Sequence, residues 1–301
     1  MVRALLAEQF LELQLDAIEP IAQGGRRTFV IDGAFIFRFA LDDADSAKLE
    51  REVALLAELA PELPLAVPLY EFVATPSQEH PYPFVGYQKI DGVSGEERRP
   101  DVKHWPAIAA QFGRLLSAVH AFPVERAKAL GVPEAPEETF GAEYRVKDAT
   151  ALLARVQGFA PVIRRELPDL VTDEMERYLS GRVALPPPSP LAPVLCHADL
   201  KGEHIIVSER ADAVAGVVDW SDCTITDPLL DFSRLLFWLG EGFVRQVLDH
   251  YACPVDERFL ERVCFYARCF ALDNLGWWVT NRFDAPIELL KTQARWAFAE
   301  G

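Results

Sequence analysis

Apolar residues along this chain recur first at helical spacing, then in alternation, then at helical spacing again. MVRALLAEQFLELQLDAIEP, residues 1–20, is leucine-rich but interrupted by Glu8, Glu12 and Asp16, and predicts an amphipathic helix. PIAQGGRRTFVIDGAFIFRFA, residues 20–40, reads as three short strands with turns at Gly24-Gly25 and Asp32-Gly33. In the third strand Phe35, Phe37 and Phe39 share one face. Ile36 and Arg38 point to the other, because successive side chains alternate. SAKLEREVALLAELAPEL, residues 46–63, predicts a helix with an apolar stripe of Leu49, Val53, Leu56 and Leu59 or Ala60. Glu52, three residues after Leu49 and four before Leu56, falls inside that stripe. LAVPLYEFVA and YPFVGYQKIDG predict two more strands, ending at Asp91-Gly92.

Beyond residue 92 the period is mainly helical. WPAIAAQFGRLLSAVHAF, residues 105–122, carries a clear stripe, and further helices follow to about residue 180. LPPPSPLAP, residues 185–193, is a stiff extended lead into VLCHADLKGEHIIV. Strands over 204–208 and 215–219, joined by SERADAV, predict a hairpin, and the last eighty or so residues are helical again. The pattern predicts an α+β protein of two lobes: a small β-rich lobe over residues 1–92, and a larger, mainly helical lobe over 93–301 with a polar hairpin inserted.

Composition narrows the partners. With 30 basic and 46 acidic residues the formal net charge is −16, which disfavours nucleic acid and anionic membranes and leans toward a cationic substrate. The first twenty residues have neither a continuous apolar core nor a small-residue cleavage site, and no run is long enough to span a bilayer. The five cysteines are odd in number and never spaced C-x-x-C, so reduced thiols in a cytoplasmic protein are expected.

Chemistry concentrates in VLCHADLKGEHIIV and AGVVDWSD. The hairpin brings Asp219 toward His204 and Asp199, with Asp222 close by. Two readings fit this set. One is a divalent-metal hydrolase using His197, Asp199, His204 and Asp219. The other is a phosphoryl-transfer site in which oxygen donors hold Mg²⁺ and Asp199 accepts the proton of an attacking hydroxyl. A non-catalytic nucleotide sensor is a third possibility, but binding alone does not require both Asp199 and Asp219. The hydrolase reading gives no reason for a charged Arg38 on an inner strand face, or for a carboxylate in an apolar helix stripe. Each needs a partner when buried. GxxxxGK[ST] and GxGxxG are both absent.

The ordered blocks EREVALLAELAPELPLAVP, PFVGYQKIDG, CHADLKGEHIIV, GVVDWSD and DPLLDFSRL resemble the protein-kinase-like antibiotic phosphotransferases over most of the chain. The aminoglycoside 2″-phosphotransferases and the macrolide phosphotransferases are the nearest subgroups. The resemblance implies a bilobal protein-kinase-like fold, ATP or GTP as phosphoryl donor, Mg²⁺, and a hydroxylated antibiotic as acceptor. An aminoglycoside is favoured, with a macrolide or another antibiotic or metabolite as the alternative. By the same resemblance Asp199 orients the acceptor hydroxyl, and His204 and Asp219 bind the metal. Arg38 contacts the α/β-phosphates with Glu52 as its helix partner. Gly24 and Gly25 cover the phosphates, and the backbone from Gln88 to Ile90 meets the base. His204 stands where protein kinases carry Asn; it is softer than Mg²⁺ prefers, which predicts weaker or pH-sensitive binding of that ion. His197 is expected to anchor the loop.

For the acceptor, the candidates are Asp222, Glu241 and Asp273, with Trp277 and Trp278. Asp231 is carried with them, although its place in DPLLDFSRL also suits helix capping together with Asp227. Glu241 is expected just past a helix end, where a carboxylate gains nothing from the helix dipole.

Overall fold

Residues 1–21, 27–136, 147–281 and 287–299 are described by the computed structural model. The expected turn at Gly24-Gly25 therefore lies outside the described residues.

Helix α1 (Val2–Gln9) precedes three strands, β1 (Ile18–Ile21), β2 (Arg27–Ile31) and β3 (Phe35–Phe39). Helix α2 (Asp43–Leu59) follows, then β4 (Tyr70–Val73) and β5 (Phe84–Gln88). The strands form one antiparallel sheet in the order β1-β2-β3-β5-β4. The alternation in β3 sorts its side chains. Phe37 and Phe39 bury on one face with Phe72, Phe84, Phe10 and the α1 leucines Leu5 and Leu6. The rings meet edge-on, tilted or stacked, with the stacked Phe39 and Phe84 centroids 4.5 Å apart. Arg38 lies on the opposite face, under α2. The side chain of Asp42 caps α2 by accepting from the Asp45 N–H at 2.8 Å.

The buried stripe of α2 is Leu49, Glu52, Leu55, Leu56 and Leu59. Val53, expected inside it, is only half-buried, so the helix is turned slightly from the expected phase. Leu55, Leu56 and Leu59 do not join the small lobe's aromatic core. They pack into the large core of the helical half.

After β5 the chain passes through Gly92, whose φ of +137° only glycine adopts readily and whose missing Cβ lets it lie against the Val207 carbonyl. β6 (Val93–Ser94) then pairs with β8 (Ile205–Val207), which pairs with β9 (Val214–Val217) as the expected hairpin. β7 (Val194–Cys196) pairs with β10 (Thr224–Thr226). β6 and β10, two and three residues long, leave no periodic signal and were not foreseen. The helices of this lobe are α3 (Trp105–Ala121), α4 (Val124–Ala129), α5 (Ala149–Glu166), α6 (Asp173–Leu179), α7 (Leu229–Leu248), α8 (Phe259–Asn281) and α9 (Ile287–Ala297). α7 carries the buried residues Phe232, Leu236 and Phe243 through the centre of the large core. It breaks at Gly240, where φ is +78°. Among the described residues, no helix is long and apolar enough to cross a membrane.

Candidate active site

The loop between β7 and β8 and the end of β9 face each other. Two non-glycine residues there take left-handed backbone, Ala198 at φ 70° and Asp219 at φ 61°. Such conformations persist only when their surroundings hold them. His197 supplies part of that hold. Its Nε2 lies 3.2 Å from the Val218 carbonyl, and its Nδ1 accepts from the Asp199 N–H at 3.3 Å. A carbonyl can only accept and an amide can only donate, so the ring is the neutral Nε2–H tautomer. Burial also lowers its pKa. One imidazole thus ties the Asp199 loop to the strand end that carries Asp219.

His204 faces both carboxylates. Its Nδ1 is 2.9 Å from the Asp199 carbonyl and 3.4 Å from Asp199 Oδ2. Its Nε2 is 3.5 Å from Asp219 Oδ2. Donation from Nδ1 to the carbonyl leaves the Nε2 lone pair on the side of Asp219, the arrangement a metal-ligating imidazole requires. Asp219 also accepts from the Ser221 hydroxyl at 2.8 Å.

Arg38 closes the cluster from the small lobe. Its Nη1 donates to Glu52 at 2.7 and 2.9 Å and to the Tyr70 hydroxyl at 3.0 Å, and its Nη2 reaches Asp219 at 3.3 Å. Glu52, 1% exposed, further accepts from the Tyr70 hydroxyl at 2.7 Å and from the Trp220 N–H at 3.3 Å. Burial opposes the charge on Arg38, but Glu52, Tyr70 and Asp219 more than offset it, and its pKa rises well above the ordinary range. A buried pair this well satisfied is a fixed feature of the site. Neighbouring α2 residues grip the same segment: Arg51 donates to the Ser221 carbonyl at 3.3 Å, and Lys48 pairs with Asp222 at 2.8 Å.

Two further cations flank Asp199. Lys201 Nζ is 3.2 Å from Asp199 Oδ2 and 3.2 Å from Glu203. Burial disfavours its charge, the two carboxylates restore it, and its pKa is raised. Arg234 lies 3.7 Å from Asp199 Oδ1 and donates to the Ala198 carbonyl at 3.3 Å. Lys201 stood inside the quoted motif. Arg234, in the first part of α7, lies in the block DPLLDFSRL, but nothing there shows that it reaches Asp199. Tyr70, which completes the Arg38–Glu52 pair, had none either.

The acceptor candidates fare differently. Asp231 is fully buried and takes the N–H groups of His197 at 2.9 Å and Ala198 at 2.8 Å. It cannot meet a substrate, and it does not cap α7. Asp227, ahead of Pro228 at the helix start, accepts from the Leu229 N–H at 2.9 Å. Asp222 is held by Lys48. Asp273 receives a two-pronged contact from Arg155, both distances 3.1 Å. Glu241 pairs with Arg245 at 2.5 Å and Arg268 at 3.3 Å. It lines a cavity of about 480 Å³ with Glu174, Arg177 and Tyr178, and no residue of the Asp199 cluster belongs to that lining. The dipole expectation for Glu241 reverses. After the break at Gly240 it begins a new helical segment, where a carboxylate is favoured. Trp277 is 41% exposed, edge-on to Trp278. Gln88, at the end of β5, is exposed, and Ile90 packs against Gly216.

A five-stranded sheet with one helix beneath it, joined to a helical lobe that presents an aspartate loop and an aspartate-ended hairpin, is a kinase-like fold. The profile of the phosphotransferase enzyme family matches residues 17–262. Viomycin phosphotransferase of Streptomyces vinaceus is 31% identical over 217 residues, 69% of this chain and 67% of that protein. The GDP complex of aminoglycoside 2'-phosphotransferase-IIIa superposes with a TM-score of 0.70 at 23% identity, covering 98% of this chain and 97% of that one. Macrolide 2'-phosphotransferase type I gives 0.59 at 22% identity over 99% and 96%. The chain belongs to the phosphotransferase enzyme family, and no similarity supports the hydrolase alternative.

Proposed function

We propose that this phosphotransferase moves the γ-phosphoryl group of ATP or GTP to a hydroxyl of a cationic antibiotic. Residues 1–92 serve as the nucleotide-binding lobe and 93–301 as the catalytic and acceptor lobe. The observation that carries the reading is Arg38, reaching across from the small lobe to Asp219 at 3.3 Å while anchored on Glu52. A metal hydrolase has no use for that bridge. A triphosphate lying between the lobes does: Arg38 meets its α/β-phosphates, and the backbone of Gln88 to Ile90 meets its base. Complexes of related structures contain GDP, ADP or ATP.

The carboxylate donors suit Mg²⁺, a hard ion that takes oxygen ligands readily, and the imidazole of His204 suits it less. Asp219 would hold it, with the free Nε2 of His204 beside it. When bound, that ion neutralises charge on the phosphates. The chain itself does the rest. Asp199 orients the acceptor hydroxyl and takes its proton. Lys201 and Arg234 counter negative charge at the point of transfer.

The acceptor follows from charge and relatives together. The net charge of −16 attracts a polycation, and the viomycin and aminoglycoside phosphotransferases share that direction; a macrolide is the second reading. The test is a nucleotide-consumption assay with viomycin, kanamycin, gentamicin and a macrolide, scored by the mass of a phosphate ester. Asp199→Ala should abolish transfer yet keep the rise in melting temperature on adding ATP or GTP with Mg²⁺. Near-normal turnover in that variant, or no thermal response to either nucleotide in the parent chain, rejects the proposal.

A further inference from the structure

Beneath the Asp199 loop, His120, Cys196 and Asp231 place donor atoms within 4.8 Å of one another, all buried. Their types suit a metal, but the Asp231 carboxylate is already occupied. Its Oδ1 takes the Ala198 N–H at 2.8 Å, and its Oδ2 takes the His197 N–H at 2.9 Å. The Oδ2 atom also lies 3.2 Å from Nε2 of His120. On the other side of that ring, Nδ1 lies 2.7 Å from the Tyr251 hydroxyl. Three parts of the fold converge here: α3 through His120, the segment after α7 through Tyr251, and the first turn of α7 through Asp231.

We propose that His120 and Tyr251 are positioning residues for phosphoryl transfer. Tyr251 donates to Nδ1 and so selects the Nε2–H tautomer of His120. That N–H fixes the rotation of the Asp231 carboxylate, and Asp231 in turn holds the backbone that aims Asp199. The proposal rests on the reading of Asp199 as the residue that orients the acceptor hydroxyl.

Each link has a physical reason. Burial pushes the Tyr251 phenol well above its ordinary range, so its proton stays and is available to donate. Burial alone would raise the Asp231 carboxyl. The His120 hydrogen bond, the electrostatic influence of the His120 and His197 rings, and the Ala198 N–H together outweigh burial and lower it. A carboxylate serving two consecutive N–H groups loses both if it rotates, and the third donor prevents rotation. The two N–H groups it holds lie on either side of His197 and lead into Ala198, the residue in left-handed backbone immediately before Asp199. Backbone of that kind relaxes once its restraint is gone. The hydroxyl of the acceptor would then meet a carboxylate displaced by a fraction of an ångström, which reduces kcat more than binding.

The experiment uses the full chain, Mg²⁺ with ATP or GTP, and whichever of viomycin or kanamycin it phosphorylates. Tyr251→Phe, which removes a single hydroxyl, should lower kcat about threefold or more and leave both KM values unchanged. His120→Leu should lower kcat about tenfold or more. His120→Gln, which returns an N–H near the Nε2 position, should recover most of that loss. Nitrogen-15 NMR of the histidines supplies a readout that needs no acceptor: the Nε2–H tautomer for His120 in the parent, and a mixture in Tyr251→Phe. Parent-like kcat in both Tyr251→Phe and His120→Leu overturns the proposal. So does an equal loss of kcat and nucleotide binding, or an Nδ1–H tautomer in the parent. If His120→Leu does not fold, Tyr251→Phe decides. An inactive Asp199→Ala beside normal relay variants rejects the relay alone, whereas an active Asp199→Ala rejects the reading beneath it.

Discussion

Single residues carry unequal weight in this protein, and exposure sorts them. Glu52 has both oxygens committed to Arg38, Tyr70 and the Trp220 N–H, and is almost wholly buried. Removing its charge strands the Arg38 guanidinium in the interior. Glu52→Ala should therefore cost about 3–5 kcal/mol of stability, read as a fall in the denaturant midpoint. A loss below about 1 kcal/mol would mean that Arg38 finds solvent on its own. At this scale the sequence was informative wherever a charge interrupted an apolar pattern. Arg38 on an inner face and Glu52 in a stripe each called for a partner, and the family resemblance paired them. Asp231 shows the limit. Its partners are the backbone of a loop more than thirty residues away, and nothing in DPLLDFSRL distinguishes a capping aspartate from one that holds a distant peptide.

Elements show the same division. Helix α2 was legible from its period, and its phase was wrong by a fraction of a turn because Val53 and Leu55 are equally apolar; the choice between them is made by the core of the other lobe. β6 and β10 were invisible because two or three residues cannot display alternation. The grip of α2 on the segment after Asp219 was equally hidden, since it joins residues far apart in the chain. That grip includes Lys48 and Asp222, both partly exposed, and such a pair contributes about 0–1 kcal/mol. Asp222→Asn should change the melting temperature little. It should also leave the acceptor KM within about twofold, since Lys48 already occupies that carboxylate. A larger rise in acceptor KM would return Asp222 to the acceptor site.

Across the whole molecule, the excess of 16 negative charges acts at a distance where no single carboxylate decides. The Debye length is about 10 Å at 0.1 M salt, so added salt should weaken the pull on a polycation. KM for a cationic acceptor should rise steadily between about 0.05 and 0.3 M NaCl, while KM for a neutral or singly charged macrolide should not. A flat response with viomycin or kanamycin would leave the surface charge without a role in capture. The plan of an N-terminal sheet followed by a mostly helical remainder was readable from the change of period between them. The three leucines of α2, Leu55, Leu56 and Leu59, cross that line and are walled in by side chains from the far lobe. The first ninety-two residues are therefore no transplantable cassette: cut loose, they would expose a greasy seam and look for something else to stick to.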